Sequence, residues 1–537
     1  MGDIETGSPL PPKVPTQVVI NGDASKPING NGTVNGHGQA DGPGEGKAYN
    51  PKYFLSDRSK VATTDGIRGL MAVEGPGIVS FVTVCYNVTP QLNTPCIASS
   101  SSSTDSLKPL ALFMRSRQAS FRSRVHNALT VSHSYLRSAR TSAGRPNPIT
   151  FPFNSITLNL KTPLGNPSLP LESITIDEED LDVALQYSPS AGLPKLREWM
   201  EKLQGHVHNR EVDGSWATSF GSGSQDLMSK AFNALLNPGD PVLLETPIYS
   251  GVLPPLRLLH AELHEVDVDD KGLSAKSLEK ILSEWPADKK KPKVLYTSPT
   301  GSNPSGCSQP RERKLEVLEV CKKNGILIFE DDPYYYLATE LMPSYFELET
   351  QVYPEGGRVL RFDSFSKLLS AGLRLGFVTG PKEITQAIDV ITAGANLHTS
   401  GVSQAVAYRL MEHWGIDGFL SHGRAVAKLY ADRRAEFEAV AHKYLDGLAT
   451  WVSPVAGMFL WVDLSPAGIE DGYALIRHEA LAKGVLGVPG NAFYPSGKKS
   501  SHVRLSFSIV DLEQDTELGF QRLADAIREN AAKLKQA

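Results

Sequence analysis

The stretch DSFSKLLSAGLRLG, residues 363–376, places one lysine, Lys367, among small hydroxyl residues, with Arg374 seven positions further on. A surface lysine usually has acidic neighbours, whereas a lysine between hydroxyls and glycines is suited to a small anionic ligand. A solvated loop is the alternative reading of a single Ser-x-Ser-Lys, so the rest of the chain has to decide. The other polar residues of the run are Asp363, Ser364, Ser366 and Ser370.

The composition is that of a globular enzyme large enough for two or more domains. The chain has 537 residues, of which 40% are hydrophobic and 21% charged. Its net charge of -5 implies no general attraction to nucleic acid or to an anionic membrane. The four cysteines form no CxxC or Cys/His pattern, so we expect no metal site and a reducing compartment. The first residues lack a secretory signal and no apolar run could span a bilayer, so we expect a cytoplasmic protein.

The chain alternates between helix and strand patterns from residue 144 onward. Three short apolar runs end in polar residues, and a helix precedes the last of them. Strands that alternate with helices predict an α/β domain with a mostly parallel sheet, whose ligands bind beyond the carboxyl ends of the strands. The predicted elements are helices at 193–207 and 311–324 and strands at 240–247, 293–299 and 325–333.

The predicted domain organisation has five parts. Residues 1–50 are rich in Gly, Asn and Pro, which predicts a disordered tail, and residues 51–81 are interpreted as an amino-terminal arm. Residues 181–394 form the large domain. Residues 144–180 and 395–537 form a smaller α+β domain, with strands at 457–464 and 501–508.

Residues 82–143 interrupt this organisation. They contain six arginines, one lysine and no glutamate, and they show no sustained helical or strand period. So long a loop without secondary structure is unusual inside a compact domain. A lineage-specific basic docking loop and surface disorder are two interpretations, and we favour a third, translated non-coding sequence such as an unspliced intron.

Three further motifs carry polar groups. FGSGSQDLMSKAF (220–232) is a Gly-rich turn that opens a helix and suits a phosphate, although a flexible loop with Ser224 as N-cap is the alternative. In SPTGSNPSG (298–306), Pro304 restricts Asn303 to extended backbone and aims its amide outward, unless this is an ordinary turn. In FEDDPYYY (329–336) an acid at a strand end needs a cationic partner or solvent.

These side chains together fit one ligand. A protonated ring nitrogen suits Asp331, a phenolate oxygen suits Asn303 and Tyr334, and an aldehyde suits the amine of Lys367, with which it forms a Schiff base. A phosphate suits Gly223, Ser224, Gln225, Ser364, Ser366 and Arg374. That ligand is pyridoxal 5′-phosphate.

The chain resembles fold-type I, class I/II aminotransferases, and within them kynurenine/2-aminoadipate and fungal aromatic amino acid aminotransferases. The resemblance covers about 144–535, with a shorter stretch at 53–81. It implies the fold-type I transferase fold, with a mostly parallel seven-stranded sheet in the large domain and a homodimer with shared active sites. The motifs, in the family's order, are ALQYSPSAGLPKLREWM, GSGSQDL, ETPIYSG, TSPTGSNPSG, EDDPYYYL, DSFSKLLSAGLRLGFVTGP, GMFLWV, PGNAFYP and VRLSFS.

The resemblance also implies residue roles. Lys367 binds the cofactor covalently, Asp331 pairs with the pyridine nitrogen, and Asn303 and Tyr334 contact the ring hydroxyl. Ser224, Gln225, Ser364, Ser366 and Arg374 bind the phosphate, Tyr249 stacks near the ring, and Tyr187 reaches a phosphate in the partner subunit. Arg504, with Asn303, binds the substrate, whose α-carboxylate pairs with the arginine, and Arg68 contacts the substrate side chain.

The activity that this resemblance implies is a transamination. The α-amino group of an L-amino acid (aromatic, kynurenine or 2-aminoadipate) would pass to 2-oxoglutarate. A lyase or decarboxylase that shares the cofactor is an alternative, although a decarboxylase would leave the carboxylate unclamped and Arg504 argues against it. A non-enzymatic regulator built on this fold is another, but residues 1–50 are too polar to form the helix-turn-helix that it requires.

Overall fold

The computed structural model describes residue 50, residues 55–56, 144–164, 168–508, 510, 512 and 515–536. Arg68 and the whole insertion at 82–143 lie outside the described residues, as does nearly all of the predicted tail and arm. In chain order the described strands are β1 (Ile156–Asn159), β2 (Ser173–Ile176), β3 (Trp216–Gly221), β4 (Pro241–Thr246), β5 (Glu262–Asp269), β6 (Gly272–Leu273), β7 (Val294–Thr297), β8 (Leu327–Asp331), β9 (Val359–Ser364), β10 (Gly376–Pro381), β11 (Phe459–Asp463), β12 (Val488–Pro489) and β13 (His502–Ser506).

Helices lie between most of these strands. The described α-helices are α1 (Glu178–Leu185), α2 (Pro194–Val207), α3 (Ser224–Leu235), α4 (Leu253–Leu258), α5 (Ala275–Ser283), α6 (Arg311–Asn324), α7 (Tyr345–Val352), α8 (Lys382–Ala395), α9 (Gly401–Leu445), α10 (Gly472–Leu475) and α11 (Asp515–Gln536). Helix α9 is interrupted at Gly415, whose φ of +65° and ψ of -179° are not helical. Within the described ranges, no helix is long and apolar enough to cross a membrane.

The large sheet has eight strands among the described residues, in the order β3-β10-β9-β8-β7-β4-β5-β6. Strands β9, β8, β7, β4 and β5 pair in parallel, and β10 runs antiparallel to both of its neighbours. The α/β fold with a mostly parallel sheet is therefore confirmed. The eighth strand, β6, was not foreseen; the chain turns back after β5 through Gly272, at φ +80°, and pairs two residues with the end of β5.

Both faces of the large sheet are covered, because every residue of β3, β4, β7 and β8 is buried. Successive side chains of a strand point to opposite faces. Phe329 of β8 accordingly packs in one apolar cluster with Phe232 of α3, whereas its neighbour Ile328 packs in another with Val317 of α6. The ends of the strands are thereby held at fixed positions.

The predicted elements of the large domain are confirmed, and all but the helix at 311–324 are shorter than predicted. The helix expected at 193–207 is α2, and the helix expected at 311–324 is α6. Helix α6 ends where Gly325 adopts a left-handed conformation at φ +66°. The three predicted strands are β4, β7 and β8, which lose one or two residues at each end.

A second sheet of three antiparallel strands, in the order β11-β13-β12, follows helix α9. It packs with α11 and the carboxyl half of α9 in an apolar cluster that includes Phe437, Leu460, Val503 and Phe520. The strands predicted at 457–464 and 501–508 are β11 and β13. The proposed boundaries of the two domains stay a prediction.

A buried ion cluster lies behind the ends of β8 and β9. Arg361 is fully buried, and its Nη1 lies 3.1 Å from Oε1 of Glu330 and 3.0 Å from Oδ2 of Asp332. Its Nη2 lies 2.9 Å from Oδ1 of Asp363. Burial raises the pKa of Asp363 to about 7, although the guanidinium opposes the shift. Arg361 thus contacts all three acids at these strand ends, and the charge of the buried Lys314 also acts on Glu330 and Asp332.

Glu245 is a second buried acid, in β4, that organises a loop. Its Oε2 accepts hydrogen bonds from the Thr297 hydroxyl, from the Ser298 N–H at 3.0 Å and from Nε2 of Gln309 at 3.3 Å. Its Oε1 accepts a bond from the Ser302 hydroxyl at 3.1 Å. Glu245 therefore ties β4 to the segment 298–309, which contains Asn303.

Replacing Arg361 by Met should destabilise the fold strongly. The substitution keeps much of the side-chain volume but leaves three buried carboxylates without their cation, which typically costs about 3–5 kcal/mol. Urea unfolding measures this free energy. Lys202→Met is the control, because Lys202 and Glu198 form an exposed pair on α2, 2.8 Å apart, whose loss should cost roughly 0.5 kcal/mol or less. Similar losses in the two variants would contradict the role of Arg361.

Glu245→Gln should flatten the pH dependence of stability. Burial raises the pKa of Glu245 from 4.5 to about 7, so the folded protein keeps a proton that the unfolded chain releases between these values. The stabilisation from this proton is complete below pH 4.5 and is lost as the pH rises to about 7. The contribution of Glu245 to the free energy of unfolding changes by at most about 1.4 kcal/mol per pH unit.

Urea unfolding of the wild type and of Glu245→Gln between pH 4.5 and about 7 measures how the free energy of unfolding changes with pH. The control Glu198→Gln, at an exposed position, should keep the wild-type slope. If Glu245→Gln also kept it, Glu245 would not titrate near neutrality.

Candidate active site

Polar side chains gather at the carboxyl edge of the parallel strands. Asp331 is the last residue of β8, and Ser364 is the last residue of β9. Tyr249 follows β4 and Asn303 follows β7. Because these strands are neighbours in the sheet and run in parallel, the structure brings together groups that are up to 115 residues apart in the sequence.

Lys367 is half-buried three residues after the end of β9. Burial lowers the pKa of its amine, and the positive charges of Arg374 and Arg504 lower it further. A lysine in this position releases its proton more readily than an exposed lysine. A larger fraction of this amine is therefore neutral and nucleophilic than in an exposed lysine, and the two arginines that lower its pKa also attract anions.

A cradle for an anion lies at the amino end of α3. Gly223 precedes this helix at φ +98°, and a β-carbon there would lie 2.8 Å from Nη2 of Arg374. A β-carbon at Gly376 would lie 2.5 Å from the backbone nitrogen of Ser224. The glycines thus let Arg374 and the free N–H groups of the first helical turn approach one another.

The helix-capping alternative for this motif is wrong, since Gly223 and not Ser224 is the residue before the first helical position. Arg374 adopts a left-handed conformation at φ +47° and donates to the carbonyl oxygens of Ser222 at 3.0 Å and Ala371 at 3.2 Å. Ser364 Oγ accepts from the Ser366 N–H at 3.2 Å, and Gln225 Nε2 donates to the Gly251 carbonyl at 2.6 Å.

Asp331 presents an unusual buried carboxylate. Its Oδ2 accepts a hydrogen bond from the Tyr296 hydroxyl at 2.6 Å, while its Oδ1 is buried and has no partner in the described part of the chain. Burial raises the pKa of Asp331 to about 7. A buried acceptor of this kind is costly unless a donor arrives, and a cationic donor would be the most favourable.

Arg504, in β13, faces the loop after β7. Its Nη1 donates to Oδ1 of Asn303 at 2.7 Å, and its guanidinium lies 4.1 Å from the ring centre of Phe459 and 5.1 Å from that of Phe493. The Nε is buried and lacks a partner among the described residues. An arginine held between two aromatic rings, with donors still free, is suited to grip a carboxylate.

Two tyrosines line the same space. Burial raises the pKa of Tyr249, and the charge of Asp331 raises it further, while Arg374 and Arg504 oppose the shift. Burial also raises the pKa of Tyr334, again with Asp331 acting in the same direction. These influences show that both phenols lie within electrostatic range of the acid and the arginines.

Two predicted site residues are not brought into this group. Tyr187 is 47% exposed, and its ring packs edge-on against His398 with centroids 6.0 Å apart. None of the contacts above reaches it. Arg68 lies outside the described residues.

Sequence reasoning missed four side chains of this region, namely Tyr296, Glu245, Phe459 and Phe493. A signal was available for Tyr296, because a phenol in a strand that is otherwise apolar needs a partner for its hydroxyl, and the next parallel strand ends in an acid. The other three depend on contacts between distant segments, which no local pattern encodes.

The chain resembles known proteins over most of its length. The sequence profile of the family described as "Aminotransferase class I and II" matches residues 168–519. "Aminotransferase tdiD" of Emericella nidulans is 43% identical over 390 residues, which are 72% of this chain and 88% of that protein. The "Kynurenine/alpha-aminoadipate aminotransferase, mitochondrial" of Bos taurus is 40% identical over 404 residues, 72% of this chain and 91% of that protein.

Solved structures agree. Aminotransferase Aro8 from Candida albicans superposes with a TM-score of 0.71 at 23% identity, over 90% of this chain and 99% of that one, and shares the fold. Kynurenine aminotransferase from Pyrococcus horikoshii, solved in complex with PMP, superposes with a TM-score of 0.60 at 30% identity, over 65% of this chain and 84% of that one. The chain therefore belongs to the class I and II aminotransferases of the fold-type I architecture, and it is an enzyme that exchanges amino groups between amino acids and 2-oxo acids with pyridoxal 5′-phosphate as cofactor.

Proposed function

We propose that this aminotransferase binds pyridoxal 5′-phosphate through the site at the strand ends and transfers the α-amino group of an aromatic amino acid, kynurenine or 2-aminoadipate to 2-oxoglutarate. The observation that carries the site assignment is the buried, unpartnered Oδ1 of Asp331, as judged within the described residues. The protonated pyridine nitrogen of the cofactor is the cationic donor that this oxygen requires.

The remaining residues fit the other parts of the cofactor. Lys367 is its covalent anchor, and Asn303 and Tyr334 are neutral donors for the ring oxygen, while Tyr249 stacks near the ring. The phosphate suits the cradle formed with the amino end of α3, where the residues in reach are Gly223, Ser224, Gln225, Ser364, Ser366 and Arg374.

When bound, the cofactor supplies a ring that accepts electrons from the substrate Cα. The amine of Lys367, once the substrate amine has displaced it from the cofactor, would take up and release the proton of the substrate Cα as general acid/base. Its lowered pKa suits it to this task, because an ordinary lysine would stay protonated at neutral pH. Asp331 in its ionised form keeps a positive charge on the pyridine nitrogen.

Arg504 binds and orients the substrate through its carboxylate. The free donors of its guanidinium fork suit a bidentate pair, and the bond to Asn303 together with the rings of Phe459 and Phe493 restricts its rotation. A fixed carboxylate also fixes the direction of the Cα–H bond. Arg68, from the predicted arm, stays the candidate for the substrate side chain.

The choice of substrates rests on the names of similar proteins. The bovine relative is named for kynurenine and α-aminoadipate, and a Dictyostelium discoideum protein named aromatic amino acid aminotransferase is 31% identical over 404 residues. A panel of amino acid donors with 2-oxoglutarate as acceptor, followed by glutamate formation, tests this proposal. Transamination restricted to donors outside these three classes would contradict it.

A homodimer with shared active sites is part of the proposal. Tyr187 is 47% exposed although it lies in a motif predicted to reach a phosphate in the partner subunit. Three apolar side chains near this motif are exposed as well. Leu397 precedes His398, the residue that contacts the Tyr187 ring. Val183 and Val402 are the sequence neighbours of Ala184 and Gly401, which pack closely against each other. Light scattering of the full chain measures the mass of the particle, which should be that of two chains.

We place the enzyme in the cytoplasm. The buried Cys307 and Cys321 are both free thiols, which suits a reducing compartment. The bovine relative carries the word mitochondrial in its name, so fractionation of the source cell decides between the two compartments.

Lys367→Ala should abolish transamination, by about 10³-fold or more, because the chain loses both the anchor and the proton carrier. Reduction with borohydride followed by peptide mass spectrometry should find the cofactor on Lys367 in the wild type and on no peptide of the variant. Lys382→Ala, at the exposed start of α8, is the control and should retain activity and attachment. Wild-type turnover in Lys367→Ala would refute the assignment.

Arg504→Ala should lower kcat/KM for every donor of the panel by about 10²-fold, since each substrate loses the same charge-assisted hydrogen bonds. Steady-state kinetics measures the effect. Arg477→Ala, which removes an exposed arginine beside Tyr473, should leave the values unchanged. A loss confined to one donor would show that Arg504 binds a side chain and not the α-carboxylate.

A further inference from the structure

A tyrosine hydroxyl lies in the interior of the large sheet, next to the candidate cofactor site. Tyr296 in β7 is 0% exposed and belongs to the same apolar cluster as Phe329 and Phe362. Its hydroxyl donates to Oδ2 of Asp331 at 2.6 Å. None of the roles described above uses this hydroxyl, so its function is open.

The tyrosine is held by both neighbouring strands and by the apolar core. In the parallel ladder it stands opposite Leu244 of β4 and Phe329 of β8, so that both flanking strands fix its backbone. The apolar cluster fixes its ring. The hydroxyl therefore occupies one position, and the carboxylate of Asp331 has to meet it there.

We propose that Tyr296 is a positioning residue for the cofactor, which holds Asp331 by its Oδ2 and thereby presents Oδ1 to the pyridine nitrogen. The inference rests on the proposed function, because it requires that Asp331 pairs with that nitrogen. It explains why one oxygen of the carboxylate is bonded and the other lacks a partner within the described residues.

The hydrogen bond opposes the other electrostatic influences on Asp331. Burial raises the pKa of Asp331 to about 7, the hydrogen bond from Tyr296 lowers it, and the nearby acids Asp332, Asp363 and Glu245 raise it again. Burial raises the pKa of Tyr296 itself well above its usual value, with Asp331 acting in the same direction, so the phenol stays a donor at every working pH. Without that donor, Asp331 would hold its proton to a higher pH and would bind a cation less well.

The test uses pyridoxamine 5′-phosphate, whose amine cannot form the covalent bond to Lys367, so that binding reports on the non-covalent contacts. The dissociation constant is measured on the full-length apoprotein for the wild type, Tyr296→Phe, Asp331→Asn and the double variant. Tyr353→Phe is the matched control, because it removes another buried phenol hydroxyl, which donates to the Leu318 carbonyl at 3.3 Å.

Tyr296→Phe should weaken binding about tenfold, as expected for a hydrogen bond to a charged group, and Tyr353→Phe should change it less than about twofold. In the Asp331→Asn background the same substitution should change binding less than about twofold, because the oxygen that Tyr296 positions no longer carries charge. The pH below which binding weakens should also move upward in Tyr296→Phe.

Two outcomes would overturn the inference. Wild-type binding in Tyr296→Phe, with weakened binding in Asp331→Asn, would exclude the positioning role and leave the cofactor site intact. Equal weakening by Tyr296→Phe in both backgrounds would indicate a general packing effect. If Asp331→Asn itself bound the probe like the wild type, the proposed cofactor site would fail instead, and with it the basis of the inference.

Discussion

The fold depends on how one buried guanidinium neutralises the acids at the ends of β8 and β9. Arg361 contacts Glu330, Asp332 and Asp363, and none of these side chains is more than marginally exposed. Carboxylates in an apolar interior repel each other and would protonate or separate the strands if the cation were missing. Asp331 lies between Glu330 and Asp332 in the sequence. By binding these two neighbours, Arg361 also fixes the end of β8, where Asp331 belongs to the candidate site.

The same interior determines the chemistry of that site. Glu245 and Asp331 both have pKa values raised to about 7, chiefly by burial. The carboxyl edge of the sheet thus holds more potential negative charge than its arginine can balance, and a cationic ring is the group that restores the balance. Lys367, in contrast, lies in the field of Arg374 and Arg504, which favours its neutral form. Burial thus raises the pKa of the acid and lowers the pKa of the amine. The second change suits Lys367 to carry a proton, whereas the first has to be opposed by donors to Asp331 if its carboxylate is to stay ionised.

The sequence predicted what local patterns encode. Apolar runs that end in polar residues predicted β4, β7 and β8, and the glycines and serines around Lys367 predicted an anion site. Partners joined by the tertiary fold were missed. The bond from Tyr296 to Asp331 joins two neighbouring strands and left only the signal of a phenol in an apolar strand, and the four bonds to Glu245 come from the segment 297–309, which no local pattern connects with β4. The two-residue strand β6 and the break at Gly415 were missed because each depends on a single glycine conformation. The assigned roles of the site residues stay predictions, and Arg68 lies beyond the described ranges.

The proposed binding of the substrate involves both sheets. Arg504 belongs to the three-stranded sheet, whereas Asn303, which accepts its hydrogen bond, follows a strand of the eight-stranded sheet. The two segments approach so closely that a β-carbon at Gly301 would lie 2.6 Å from the backbone of Ala456, just before β11. Glu245 fixes the loop of Asn303 from the side of the large sheet, and Phe459 fixes Arg504 from the side of the small one. The position of Arg504 relative to Lys367 is therefore set by the packing of one sheet against the other. If Arg504 binds the substrate carboxylate as proposed, a change far from the site in either sheet would alter the orientation of the substrate Cα–H bond.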